Sequence, residues 1–210
     1  MNIKQMCLGE YLTNTYILSD PISGKCVIID PADSGEKIAG YILENAFTPY
    51  AILLTHGHYD HILAIPVLQK QWPELAIYCH KADCPNETVE YDMGKAFPTV
   101  SAFSPLINYN SGAVISVGNI NVHILHTPGH TKGSVVLRTE GALFTGDTVF
   151  AGSVGRTDLP GGDSTELMNS LRIIAGLDEN LIIYPGHGPC STVKHELSHN
   201  IYMRHALRSI

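Results

Sequence analysis

Ala51-Ile52-Leu53-Leu54-Thr55-His56-Gly57-His58-Tyr59-Asp60-His61 is the stretch on which the fold turns. Its apolar run is too short for a helix and right for a buried strand. Gly57 breaks the run, so the donor side chains leave the strand on a tight loop. Imidazole and carboxylate suit Zn²⁺, Fe and Mn²⁺, and no Cys pair accompanies them as a closed structural zinc would require. His56 and His58 lie two apart, on one side of an extended chain. Asp60 and His61 follow the turn and can face a second ion.

Three later segments share this grammar. Val122-His123-Ile124-Leu125 leads into His126-Thr127-Pro128-Gly129-His130, Ala142-Leu143-Phe144 into Thr145-Gly146-Asp147, and Leu181-Ile182-Ile183-Tyr184 into Pro185-Gly186-His187. If the strands are neighbours, their ends bring the ligands to one sheet edge, where rigid scaffolds commonly carry active-site residues. The candidate metal ligands are His56, His58, Asp60, His61, His130, Asp147 and His187, with three donors for each of two divalent ions and Asp147 shared. Zinc is the expected metal, with iron and manganese as alternatives. Two ions roughly 3.5–4 Å apart lower the pKa of a bridging water toward about 7 and polarise a substrate oxygen. Asp60 and Asp147, with that water, are the expected catalytic groups of a hydrolase. His80, His123, His126, His195, His199 and His205 are expected at the surface or in packing. Asp30 has two readings, an acceptor beneath the metal site or a strand-ending turn residue; Thr55 and Thr131 carry the same ambiguity.

At 210 residues and 44% hydrophobic, the chain is expected to form one domain, 1–210. A net charge of −7 without a basic run argues against nucleic-acid binding and against docking on anionic membranes. The start, MNIKQMCLGEYLTN, lacks a signal-peptide core, and the five scattered cysteines do not form a disulfide framework. The expected location is therefore cytoplasmic. Monomer and homodimer are both left open.

Strands are expected at 3–8, 14–19, 25–30, 50–55, 75–79, 113–117, 120–126, 134–138, 142–146 and 180–184. Helices are expected at 34–46 and 163–176, each opening on a sequence that allows a capping box, after Asp60, and over 192–208. The stretch 81–112, with Pro85, Gly94, Pro98 and Pro105, is expected to be irregular, as an insertion or lid-like loop.

The ordered set Thr55–His61, Pro128–Thr131, Gly146-Asp147-Thr148 and Pro185–Gly188 closely resembles the metallo-β-lactamase superfamily, specifically its glyoxalase II-like hydrolases. The resemblance spans nearly the whole chain. It implies an α+β fold, the αβ/βα four-layer sandwich with two mixed β-sheets and helices outside. It also implies one ion on His56, His58 and His130, another on Asp60, His61 and His187, and Asp147 bridging. The substrate class implied is a small-molecule thioester such as an S-2-hydroxyacyl glutathione.

Gly152–Asp163 is similar to the short, single-domain bacterial members of that group. Gly155-Arg156 stands where longer glyoxalase II enzymes carry a Gly-Lys that holds a glutathione carboxylate. Arg156 is thus either a carboxylate clamp or a structural partner of Asp158 or Asp163. The chain lacks the C-terminal helical domain of the longer enzymes, and Ile62-Leu63 replaces the small residues that often follow the motif. A related family, the mononuclear-iron glutathione-persulfide dioxygenases, shares a Gly-Arg-Thr-Asp segment. It usually carries Pro-Ala-His-Asp where this chain has Pro185-Gly186-His187-Gly188, which favours hydrolysis. A lactonase is compatible with the same ligands. Class B β-lactamases fit less well, since they usually place a Cys in the set.

Overall fold

Buried strands β3 (Lys25–Ile29) and β4 (Thr48–Leu53) lie parallel, which brings Asp30 and Thr55 to the same sheet edge. A computed structural model describes residues 1–83 and 105–208 of the chain. Its contacts divide it into two units, Met1–Tyr109 with Ser116–Ile120, and Asn110–Ile115 with Asn121–Ile210.

The first sheet runs β1 (Asn2–Leu8), β2 (Thr13–Ser19), β3, β4, β5 (Ala76–His80) and β6 (Leu106–Tyr109). Its first two pairings are antiparallel and its last three parallel, so the sheet is mixed. Helices α1 (Gly35–Glu44) and α2 (Ile65–Gln71) supply Ile38, Ile42, Ile65 and Leu68 to a core with Ile17, Ile28, Ile52 and Ile77. Burying each such side chain is worth about 1.5–3 kcal/mol.

The second sheet runs β14 (Ser191–Thr192), β13 (Ile182–Pro185), β10 (Ala142–Gly146), β9 (Val135–Thr139), β8 (Ile120–His126) and β7 (Val114–Val117). It too is mixed, since β10 pairs in parallel with β13 and antiparallel with β9. A hairpin of β11 (Val149–Phe150) and β12 (Ser153–Val154) stands apart from it. Leu171 and Ile174 of α3 (Ser164–Ala175), Val193 of α4 (Val193–His199) and Met203 of α5 (Ile201–Arg208) pack with Val136, Leu143 and Ile183.

Several expectations need correction. The helix expected from Ser34 begins at Gly35, and Ser34 sits in a left-handed conformation (φ 50°) with no side-chain cap, so the capping box is not formed there. At α3 the cap is real: Asp163 accepts from the amides of Thr165 and Glu166, a bond worth about 1 kcal/mol. The stretch 81–112 contains strand β6, added in parallel to β5, so it is not irregular throughout; residues 84–104 lie outside the described residues. Cys7, Cys26 and Cys190 are free. Among the described residues no helix is long and apolar enough to cross a membrane.

Within the first unit, buried Asp20 fastens the β7–β8 turn by accepting from the backbone and side-chain amides of Asn119. It also accepts from Ser23 Oγ and the Ile22 amide. These bonds, Ser23's hydroxyl foremost, hold its carboxyl at about 2. The folded value lies below the ordinary ~3.9, so the contribution is complete above about pH 4 and is lost as pH falls toward 2. Asp20→Asn is expected to flatten the stability loss across that window in urea melts. An unchanged profile would contradict the assignment.

Candidate functional site

In the first unit the ligand loop springs from β4, whose last turn is tied by the buried Tyr109 hydroxyl donating to the Leu54 carbonyl. Burial raises the Tyr109 phenol well above its ordinary value, so it stays a neutral donor. Asp30 lies on the neighbouring strand end in a left-handed conformation (φ 48°), pinned by Thr15, whose hydroxyl donates to the Asp30 carbonyl and accepts from the Ala32 amide.

The Asp30 carboxylate accepts from the Thr55 amide (2.7 Å) at Oδ1, and from the Thr55 hydroxyl (2.6 Å) and His61 Nδ1 (3.0 Å) at Oδ2. Because the Thr55 proton goes to Asp30, Thr55 Oγ1 can accept from His56 Nδ1, 3.0 Å away. Both rings therefore carry their proton on Nδ1 and present a lone pair at Nε2. Asp30, His56 and His61 have ligand atoms within 4.8 Å of one another. Asp30 meets His61 at Nδ1 and reaches His56 only through Thr55, which suits a group that orients the candidate ligands. Asp30 both follows the end of β3 in a turn and accepts these hydrogen bonds, and Thr55 belongs to the same network. Thr131 instead bonds Ser134 Oγ at 2.6 Å within its own turn.

His58 stacks edge-on to His56, with ring centres 4.8 Å apart, and the His56 and His61 centres are 4.2 Å apart. Thr13, at the start of β2, donates to Asp60 Oδ2 (2.9 Å), the oxygen that lies 3.6 Å from His61 Nε2. Beside them the Tyr59 phenol is raised above its ordinary value, by burial first, then by its bond with Tyr11 and by the Asp60 charge. It remains protonated at neutral pH.

In the second unit β10 and β13 run parallel and their ends bear Asp147 and His187. β8 runs the same way as β10, since each is antiparallel to β9, so His130 comes to that edge as well. Asp147 Oδ2 lies 3.6 Å from His130 Nε2 and 3.5 Å from His187 Nε2. The buried His130 donates from Nδ1 to the Arg156 carbonyl at 2.7 Å. A carbonyl only accepts, so Nε2 is again the lone-pair atom. Gly155 makes that contact possible: a Cβ there would stand 1.8 Å from the Asp147 carbonyl oxygen.

Three histidines in two units thus hold the tautomer that ligates a metal, with carboxylates beside them. That donor set fits divalent ions. His80, His123, His126, His195, His199 and His205 join no such group among the described residues. His126 Nε2 bonds the Lys132 carbonyl, and His195 stacks on His199.

Arg156 makes a bidentate pair with Asp158, both bonds 2.7 Å, while Asp163 caps α3. Both members are exposed, and the pair raises the guanidinium above its ordinary value and holds the Asp158 carboxyl at about 2. Sequence reasoning passed over Glu196 and Asn200, two fully buried polar residues of the second unit. A Glu and an Asn four apart in an otherwise amphipathic helical stretch were the available signal.

Among relatives, the chain is 32% identical to a probable metallo-hydrolase, YqgX, of Bacillus subtilis, over 97% of this chain and 98% of the relative. It is 30% identical to the hydroxyacylglutathione hydrolase GloC of Haemophilus influenzae, over 97% and 98%. Among solved structures, the BLEG-1 B3 metallo-β-lactamase matches with a TM-score of 0.86 and 33% identity, over 96% of this chain and 99% of that one. TTHA1623 in a di-iron-bound form matches at 0.84 and 32%, over 95% and 99%. The expected α+β metallo-β-lactamase fold, with two mixed sheets and helices, is thereby established. Residues 8–187 match the model of the metallo-β-lactamase superfamily, and the chain belongs to that superfamily.

Proposed function

We propose that the chain is a glyoxalase II-like thioester hydrolase that holds two divalent ions on His56, His58, Asp60, His61, His130, Asp147 and His187. The observation that carries this is the locked Nδ1 proton of His56, His61 and His130, which aims three Nε2 lone pairs for coordination. The 30% identity to a hydroxyacylglutathione hydrolase over nearly full length supports the thioester. Zinc is the proposed metal, and the di-iron form of a relative makes iron the alternative.

Ions held by these residues would supply a water acidified to a pKa near ~7 and positive charge for the developing oxyanion. Asp60, fixed at Oδ2 by Thr13, and Asp147 would orient that water, one of the two carboxylates taking up its proton. The water oxygen forms the new C–O bond as the C–S bond breaks. The departing thiolate takes up the proton, giving a carboxylic acid and a free thiol. Arg156 is the proposed clamp for a substrate carboxylate, which would replace Asp158 in its fork.

The test is one panel with the metal-loaded protein: an S-2-hydroxyacyl glutathione, a lactone, a cephalosporin, and glutathione persulfide with oxygen uptake. The thioester is expected to exceed the others in kcat/KM by at least about 100-fold, roughly 2.7 kcal/mol of transition-state discrimination. A cephalosporin or lactone turned over faster would replace the thioester. Oxygen consumption with persulfide would replace hydrolysis.

A further inference from the structure

Glu196 is fully buried on α4 with both carboxylate oxygens engaged. Oε1 accepts from the Ser191 hydroxyl, and Oε2 accepts from the Gly152 amide (2.8 Å) and Asn200 Nδ2 (2.9 Å). Asn200, also fully buried, occupies the α4–α5 junction. Its Nδ2 donates to the Ser153 carbonyl at 2.9 Å and the Phe150 carbonyl at 3.4 Å, and its Oδ1 accepts from the Tyr202 and Met203 amides. An apolar pair would fill the same volume without the desolvation penalty of a carboxylate. What the polar pair achieves is a fixed position for one short piece of backbone, the turn of the β11–β12 hairpin.

That turn is tied to three candidate ligands. The Phe150 ring stands edge-on to the His187 ring, with centres 6.0 Å apart. From Ser153 the chain runs through Val154 to Gly155, whose backbone abuts the Asp147 carbonyl. The next residue, Arg156, gives the carbonyl that fixes His130 Nδ1. A displaced hairpin would therefore disturb all three together.

We infer that Glu196 and Asn200 are positioning residues for the metal ligands His130, Asp147 and His187, acting through the Phe150–Arg156 backbone. The inference rests on the metal reading above, and its test can fail separately.

Zinc affinity by chelator competition and the visible absorption of the cobalt-loaded protein are measured for wild type, Glu196→Ala, Glu196→Gln, Asn200→Ala and Ile174→Ala. Removing orienting groups around metal ligands typically weakens binding about 10–100-fold. Glu196→Ala and Asn200→Ala are expected to show that loss and an altered cobalt spectrum. Glu196→Gln, which keeps an acceptor for Gly152 and Asn200, is expected to recover most of both. Ile174→Ala removes buried volume from the same core, lowers the melting temperature and is expected to leave affinity and spectrum unchanged. If Glu196→Ala does not fold, Asn200→Ala decides the matter by itself, since Glu196 keeps its other two donors. Wild-type affinity and spectrum in a folded Asn200→Ala would overturn the inference, as would losses that merely track melting temperature across all variants. A wild-type protein that binds neither metal would instead overturn the proposed function.

Discussion

Asp147→Asn is expected to abolish metal binding and hydrolysis together, while the metal-free protein keeps its fold. The carboxylate stands 3.6 and 3.5 Å from two imidazole Nε2 atoms, and it is one of the groups that would hold the proposed ions. Asparagine keeps the shape but removes the negative charge. Two divalent cations held close together would repel, and the negative charge of Asp147 would offset that repulsion. The expected drop in kcat/KM is at least about 1,000-fold, or roughly 4 kcal/mol, with metal content falling in parallel. Metal analysis, turnover and the melting curve of the apoprotein check the three parts. Undiminished turnover by the variant would remove Asp147 from the mechanism.

Asp30→Asn is expected to weaken zinc binding about 10–100-fold without contacting the metal. Asp30 accepts three hydrogen bonds, and through Thr55 and His61 it sets two ligand tautomers. An asparagine oxygen in the Oδ2 place still serves the Thr55 hydroxyl and His61, but its NH2 then faces the Thr55 amide and the negative charge is lost; turned over, Thr55 and His61 lose their acceptor and the ring protons are no longer fixed. Asparagine tolerates the left-handed backbone at this position, which separates the chemical effect from backbone strain. Losing a buried hydrogen bond still costs about 1–3 kcal/mol of stability. Chelator competition and thermal melting read the two effects apart. Wild-type zinc affinity in the variant would show that the Nδ1 bonds do not prepare the ligands.

Four strand ends bearing candidate ligands were visible in the sequence because each is a local pattern: a short apolar run, a Gly or Pro, then a donor. The same locality explains what was not visible. Asp30 reaches Thr55 only because β3 and β4 are parallel neighbours, a fact about residues 25 positions apart. Strand β6 was concealed in 81–112 because Leu106–Tyr109 is short and follows Pro105; its pairing with β5 is what makes it a strand. The two-residue strands β11, β12 and β14 are below the length at which alternation can be read. Ser34 and Asp163 look alike as helix starts, yet only Asp163 caps, since Ser34 lies in a left-handed turn. For Arg156 the sequence offered Asp158 and Asp163 as partners, and the engagement of Asp163 with α3 leaves Asp158 as the partner seen.

The central claim is a pair of metal ions that makes the chain a hydrolase. Metal content per chain, measured on the same sample before chelation, after chelation and after zinc is restored, with thioester turnover at each stage, tests it most directly. Close to two equivalents and full turnover are expected first, then loss of both, then recovery of both. Full turnover by the metal-depleted protein would contradict the claim.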